Sequence, residues 1–193
     1  MRIAVIGAYG NGKTTLTTAL AAHLGIPRTH GQPMRDPAGA PGRSLEDSTP
    51  PQLIQLMTRR FTERVLGETL AGAAFVSDGS IMHEWVYTTV RLAAGRFPQP
   101  PIALPAPGET PFQQVVHELG SLTRSHAAGG YDLVVHLPVE YPLTGAAAPI
   151  SEHFRSLSDA LLCDTLSEIG VAVHVVTGTP GERLQAVLAL TGR

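Results

Sequence analysis

The chain has 193 residues, which is enough for one hydrophobic core and too few for two ordinary domains joined by a linker. Hydrophobic residues make up 43% and charged residues 16%, which excludes a disordered and highly charged tail. The formal net charge of −2 gives no excess of positive charge of the kind that binds nucleic acid or anionic membranes. These values predict a single domain, residues 1–193, that acts on small molecules.

The predicted elements alternate between strands and helices with no break in composition. The strands are apolar runs at residues 3–6, 25–30, 74–78, 133–137 and 171–176. The helices carry apolar residues at helical spacing and begin near residues 15, 50, 81, 111, 151 and 180. Long Gly/Pro-rich loops, predicted to be mobile, occupy about residues 31–47, 96–111 and 138–150. The pattern predicts a three-layer α/β fold with a mainly parallel five-stranded sheet and helices on both faces.

Lysine occurs once in this chain, at position 13, while the other 13 basic residues are arginine. It completes Gly7-Ala8-Tyr9-Gly10-Asn11-Gly12-Lys13-Thr14, which satisfies the P-loop (Walker A) pattern G-x-x-x-x-G-K-[ST]. The first predicted strand precedes the motif and the first predicted helix follows it. Strand, glycine-rich loop and helix are the order that a P-loop requires.

The chemistry of this loop follows from its backbone. Glycines let successive N–H groups converge on phosphate oxygens, the helix N-terminus adds positive potential, and Lys13 supplies a point charge. Thr14 is expected to ligate Mg²⁺. A glycine turn without a ligand is disfavoured because strand, spacing, lysine and hydroxyl agree. The predicted nucleotide-binding residues are Gly7, Tyr9, Gly10, Asn11, Gly12, Lys13, Thr14 and Thr15.

Asp78 directly follows the apolar run of the third strand, where parallel α/β proteins place their ligand site. There it would orient Mg²⁺ or accept a proton from an acceptor. The alternative interpretation is an N-cap for the following helix, a position that aspartate favours.

The type of nucleotide is predicted by elimination. A guanine-specific N-K-x-D or T-K-x-D element needs a second lysine, which the chain lacks. ATP is therefore the expected phosphoryl donor, with residues 177–180, including Thr179, on the adenine side. A simple turn into a capped helix accounts for the same residues equally well.

The chain resembles small P-loop kinases of the nucleoside and nucleotide kinase type, particularly the nicotinamide riboside kinase-like and thymidylate kinase-like branches. The resemblance extends over nearly the whole chain and is carried by residues 7–15, 75–87 and 131–138. It implies Mg²⁺-dependent transfer of the γ-phosphoryl group of ATP to a small-molecule acceptor. The catalytic residues that it implies are Lys13, Asp78 and Arg155, with Thr14 and Asp78 at the magnesium ion.

Arg155 would be a lid arginine that reaches the transferring phosphoryl group. The alternative is a solvated arginine on the surface of its helix.

Two departures from the family pattern concern the acceptor. Gly79 stands where many relatives have arginine, so one anion contact is missing or comes from elsewhere. No carboxylate follows the second strand before Asp36, whereas deoxynucleoside kinases usually have a glutamate there.

A hydroxyl acceptor benefits from a carboxylate base, whereas a phosphorylated acceptor needs arginines, and Arg60 and Arg64 share one helix face. That face is either part of the acceptor cleft or solvated.

A second class of function also fits the motif: a nucleotide-dependent switch or ATPase that acts on a protein partner through the loop at 96–111. For the kinase, the expected partner is a small-molecule acceptor, without nucleic acid or membrane, and a homodimer is compatible with the sequence. The apolar run after Met1 is four residues long, too short for a signal peptide or membrane span, which predicts a cytoplasmic protein.

Cysteine and histidine give no metal signature in the sequence. The single cysteine, Cys163, lies in an apolar helical pattern that favours a buried structural thiol. The eight histidines show neither an H-x-x-x-H pair nor the paired Cys/His spacing of zinc sites. A metal site built from the protein alone is not expected.

Overall fold

The structure is a computed structural model that describes residues 1–29, 48–95, 98, 110–143 and 150–192. The strands are β1 (Arg2–Ile6), β2 (Arg28–Thr29), β3 (Phe75–Asp78), β4 (Leu133–His136) and β5 (Val173–Val175). The helices are α1 (Lys13–Leu24), α2 (Pro50–Ala71), α3 (Met82–Ala94), α4 (Pro111–Gly130), α5 (Glu152–Glu168) and α6 (Pro180–Leu190). The predicted α/β fold with five strands and six helices is confirmed. The predicted loop at 31–47, most of that at 96–111, and residues 144–149 of that at 138–150 lie outside the described residues.

The five strands form one parallel sheet in the order β2-β3-β1-β4-β5. The central strand β1 pairs with β3 on one side, where Val5 is opposite Asp78, and with β4 on the other, where Ile6 is opposite His136. Since parallel strands end at the same edge of a sheet, the P-loop, Asp78 and His136 come together there.

Alternate residues of β1 face two separate hydrophobic layers. Ala4 and Ile6 pack in a layer with α3, α4 and α5, and Ile3 and Val5 pack with α1 and α6. All four side chains are fully buried. A strand covered on both faces needs an apolar residue at every position, which explains why β1 reads as a continuous apolar run.

Capping residues set the helix starts as predicted. Thr110 and Thr179 each accept a hydrogen bond from the backbone of the third helical residue, and a proline occupies the first position of α4 and α6. Ser151 accepts from the N–H of Phe154 at 3.1 Å and starts α5. Among the helices within the described ranges, none is long and apolar enough to cross a membrane.

Strands β2 and β5 begin later than predicted, because residues just before them bond back to the preceding helix. The N–H groups of Gly25 and Ile26 both bond to the carbonyl of Ala21, so these residues close α1 before β2 begins at Arg28. Likewise, the N–H of Val171 bonds to the carbonyl of Leu166 at the end of α5.

Gly7 is the position where backbone geometry constrains the fold most tightly, because its φ is +135° and a Cβ there would overlap the carbonyl oxygen of Leu137. We expect Gly7→Ala to lower the free energy of unfolding by about 2–4 kcal/mol, from backbone strain and overpacking together. Urea denaturation of the purified variants measures the change.

Gly129→Ala is the matched control, since a Cβ at this helical glycine would meet no atom within 4 Å. This substitution should leave stability unchanged or raise it by up to about 1 kcal/mol. Equal effects of the two substitutions would contradict the packing seen at Gly7.

Candidate active site at the P-loop

Asn11 connects the P-loop to three distant parts of the chain through hydrogen bonds. Its Nδ2 donates to the carbonyl of Leu137 at 2.8 Å, and its Oδ1 accepts from the Arg155 guanidinium. Its backbone carbonyl accepts from Arg183 Nη1 at 2.7 Å, and Arg183 also pairs with Glu140. Side chains from outside the motif therefore hold the loop in shape.

His83 contacts the start of the loop, and these contacts fix which of its ring nitrogens carries the proton. Its Nδ1 accepts from the Ser80 N–H at 2.9 Å, and its Nε2 lies 3.0 Å from the carbonyl oxygen of Gly7. These contacts assign the ring proton to Nε2, which donates to Gly7. Burial, with a further contribution from Lys13, lowers the pKa of His83 to about 3, so the ring stays neutral at pH 7.

Lys13 is folded back into its own loop, where Nζ donates to the carbonyl of Ala8 at 2.7 Å. Burial lowers the pKa of Lys13 to about 8, although Asp78 and Asp159 act in the opposite direction. A desolvated ammonium group gains more than a solvated one from a nearby anion, because the local dielectric is low.

The predicted nucleotide-binding residues form an open surface around this lysine. Gly7 and Asn11 are buried and Lys13 is half-buried, while the exposed members are Tyr9, Gly10, Gly12, Thr14 and Thr15. The loop therefore presents backbone groups and the Thr14 hydroxyl to solvent beside a lysine that is partly enclosed.

Asp78 lies beside the helix start as the motif required. The Thr14 hydroxyl donates to Asp78 Oδ2 at 2.7 Å, and Arg28 Nη1 lies 3.4 Å from the same oxygen. The alternative interpretation of Asp78 as an N-cap is wrong, because Ile81 precedes the first residue of α3. A hydroxyl and a carboxylate oxygen are ligands that Mg²⁺ prefers, so the two residues fit such an ion.

Arg155 is not a solvated surface residue, since only 1% of it is exposed. Besides Asn11, its guanidinium contacts the carbonyl of Tyr141 at 2.6 Å and the carboxylate of Glu152 at 3.1 Å. The first turn of α5 thus places a buried cation against the wall of the P-loop. Its role as a lid arginine stays a prediction.

Thr179 is engaged in starting α6. Its N–H and its hydroxyl both donate to Glu182 Oε2 at 2.8 Å, closing a capping box. These contacts favour the turn interpretation of residues 177–180, and an adenine-side role stays a prediction.

The face formed by Arg60 and Arg64 is turned inward. Arg60 Nε donates to Glu84 Oε2 at 2.8 Å, and Arg64 Nη2 lies 3.3 Å from Glu84 Oε1. Burial alone would raise the pKa of Glu84, but Arg60 and Arg64 outweigh it and lower the pKa, so this carboxylate is ionised. A Cβ on Gly79 would lie 3.3 Å from Arg64 Nη2, so the guanidinium occupies the space beside this glycine.

The side chains that hold the loop from outside the motif are not predictable from the P-loop pattern. His136, the last residue of β4, lies 3.1 Å from both carboxylate oxygens of Asp159 on α5. One of these oxygens also accepts the Ala8 N–H at 3.0 Å. The sequence feature that could have identified His136 is its position at the end of a strand, which it shares with Asp78.

Comparisons with known proteins identify a family and similar folds. The family model described as "AAA domain" matches residues 2–183. The structure is similar to deoxyadenosine kinase from M. mycoides with bound dATP, with a TM-score of 0.69, 12% identity and complete coverage of both chains. It is also similar to NadR protein in complex with NAD and AMP-PNP, with a TM-score of 0.61, 17% identity, and coverage of 99% of this chain and 48% of that one. No curated protein matches the sequence.

The fold and the loop together define a P-loop protein of the nucleoside and nucleotide kinase type in architecture, as the sequence resemblance implied. At the level of family, the chain belongs to the AAA domain family.

The single lysine makes its own titration directly measurable. In protein labelled with ¹³C at lysine Cε, we expect one NMR resonance with a midpoint near pH 8 in the native state, because Lys13 is desolvated. Since the pKa is lower in the folded than in the unfolded chain, stability should rise with pH between about 8 and 10.5.

The same sample unfolded in urea provides the control, with a midpoint near the ordinary lysine value of 10.5. Lys13→Met should remove this part of the pH dependence of unfolding. A native midpoint that coincides with the unfolded one would show that Lys13 is solvated.

Proposed function

We propose that this protein is a Mg²⁺-dependent kinase that transfers the γ-phosphoryl group of ATP to a hydroxyl group of a small metabolite, with a nucleoside as the first candidate. The observation that carries the proposal is a complete P-loop whose Lys13 and Thr14 stand beside Asp78 at the carboxyl edge of the sheet. The fold that this protein shares with deoxyadenosine kinase supports the proposal.

In this proposal, the P-loop amides and Lys13 bind the β- and γ-phosphates. Lys13 exchanges its bond to the Ala8 carbonyl for phosphate oxygens, which offer it a full negative charge. Thr14 and Asp78 hold Mg²⁺, which when bound neutralises charge on the phosphate oxygens. Arg155, buried against Asn11, adds positive charge on the wall of the loop.

The charge balance around α2 and α3 supports a hydroxyl acceptor. Arg60 and Arg64 are the arginines whose helix face was a candidate for binding a phosphorylated acceptor, and both pair with Glu84. Arg64 also donates to the buried Ser77 hydroxyl at 2.8 Å. In addition, Glu68 Oε1 lies 3.8 Å from Arg64 Nη1, so two carboxylates balance the two arginines, which then have little charge to offer a second phosphate group.

In this proposal the two oxygens of Asp78 have different roles, with Oδ2 beside Thr14 at the Mg²⁺ position and Oδ1 as the general base. It accepts the proton of the acceptor hydroxyl as the oxygen forms its bond to the γ-phosphorus, and the bond between that phosphorus and the bridging oxygen of ADP breaks. Thr14 and Arg28 both contact Oδ2, and Oδ1 takes part in neither contact.

A coupled assay of ADP release tests the proposal, with ATP, Mg²⁺ and a panel of nucleosides, nucleotides, vitamins, sugars and aminoglycosides. We expect release that depends on a hydroxyl-bearing acceptor, with a phosphorylated product in the mass spectrum. Lys13→Met should abolish transfer, and Asp78→Asn should lower kcat by about 10²–10⁴-fold, the usual contribution of a general base.

Asp164→Asn is the matched control, because Asp164 is an exposed carboxylate on α5 that has no role in the proposed transfer. Its activity should equal that of the unmodified protein. ADP release that ignores every acceptor and rises with a protein partner would favour the nucleotide-dependent switch instead. Transfer confined to phosphorylated acceptors would contradict the role given to Asp78.

A further inference from the structure

Three potential metal ligands meet behind the P-loop, at residues the proposed phosphoryl transfer does not use. His136 ends β4, and Asp159 and Cys163 lie one turn apart on the same face of α5. The imidazole nitrogen, thiol sulfur and a carboxylate oxygen of these residues all lie within 4.8 Å of one another. Imidazole, thiolate and carboxylate together are a donor set typical of zinc.

The spacing of these atoms fits one tetrahedral ion. With ordinary zinc bond lengths, neighbouring ligand atoms of a tetrahedron are separated by about 3.3 Å for nitrogen and oxygen and about 3.6 Å for nitrogen and sulfur. His136 Nε2 lies 3.1 Å from the Asp159 oxygens and 3.6 Å from Cys163 Sγ. Nε2 of His136 therefore faces both Asp159 and Cys163. A shared ion at the centre would bond to all three side chains, whereas one proton on Nε2 cannot bond fully to both partners.

Rigid elements hold the three side chains in place. The backbone of His136 is paired on both sides within the sheet, with Ile6 of β1 and Val175 of β5. Asp159 has an outer partner, because its Oδ1 accepts the Ala8 N–H at 3.0 Å. Outer hydrogen bonds of this kind orient carboxylate ligands in metal sites.

Access and charge are compatible with an ion at this position. The side chain of Asp159 is 15% exposed and Cys163 is half-buried, so the cluster is not sealed from solvent. A divalent ion bound by one carboxylate and one thiolate forms a neutral unit, which adds no net positive charge next to Lys13 and Arg155.

We propose that His136, Asp159 and Cys163 form a binding site for a tetrahedral divalent transition metal of the Zn²⁺ class, with water as the fourth ligand. The ion binds His136 as neutral imidazole through Nε2, with the ring proton on Nδ1, and it binds Cys163 as thiolate. The Nε2 proton of the imidazolium form and the thiol proton of Cys163 both pass to solvent. Through Asp159 and Ala8 the site is one hydrogen bond away from the P-loop, and it is separate from the Thr14 and Asp78 position proposed for Mg²⁺.

Cobalt substitution tests this site directly, because Cys163 is the single cysteine of the chain. Titration of the chelator-treated protein with Co²⁺ should produce a thiolate-to-cobalt charge-transfer band together with the intense visible bands of tetrahedral cobalt. We expect saturation at one ion per chain and reversal by Zn²⁺. Cys163→Ser should abolish the charge-transfer band.

His136→Gln should weaken cobalt binding by more than about 100-fold, since even outer-shell partners of metal ligands cost about 10–100-fold. His174→Gln is the matched control, because His174 is an exposed histidine on the neighbouring strand β5 and should leave the titration unchanged. Neither measurement involves ATP or an acceptor, so its outcome is independent of the proposed kinase activity.

The unmodified protein offers a second measurement that does not depend on the folding of variants. Zn²⁺ should slow the reaction of Cys163 with a thiol reagent, since a metal-bound thiolate is protected. Absence of a charge-transfer band at millimolar Co²⁺, or a thiol reaction rate that Zn²⁺ leaves unchanged, would overturn the proposal. The three residues would then be a hydrogen-bonded cluster that supports Ala8.

Discussion

The burial of one ammonium group in a loop that other elements hold in place is the constraint on which the site depends. The Lys13 ammonium group donates to the carbonyl of Ala8, and the N–H of Ala8 donates to Asp159. A P-loop binds phosphate well only when its amides already point inward, because ordering them at the moment of binding would cost free energy. The contacts of Asn11 with Leu137 just after β4, with α5 and with α6 stabilise this arrangement before any ligand arrives.

The second feature of the site is the extent to which its buried charges are already paired. Arg64 lies between Glu84 and Glu68, and Ser77 links Arg64 to Glu68 through hydrogen bonds of 2.8 and 2.7 Å. Burial alone would raise the pKa of Glu68, but hydrogen bonds from His126 and Ser77 and the charge of Arg64 lower it. Such a network holds α2 against β3 and α3, and it fills the space beside Gly79. The network therefore leaves the charges of Lys13 and Asp78, together with the Thr14 hydroxyl, beside the loop.

The carboxyl edge of the sheet brings together the two proposed ion positions, which differ in chemistry. Where β1 pairs with β3, the oxygen ligands of Thr14 and Asp78 suit a hard ion such as Mg²⁺. Where β1 pairs with β4, the nitrogen and sulfur of His136 and Cys163 suit a softer ion such as Zn²⁺. The chain joins the two through Ala8, which contacts Asp159 on one side and Lys13 on the other.

The sequence by itself determined the P-loop, the alternation of elements and the helix starts at Pro50, Pro111 and Pro180, because these depend on local spacing, capping and apolar periodicity. It placed Asp78 at the site for the same reason, since a strand end is readable from an apolar run. Only the tertiary structure decided that Arg155 is buried, that Arg60 and Arg64 pair with Glu84, and that His136 meets Cys163. Those pairings join residues from different elements, and no spacing along one element encodes which strand and helix become neighbours in a sheet.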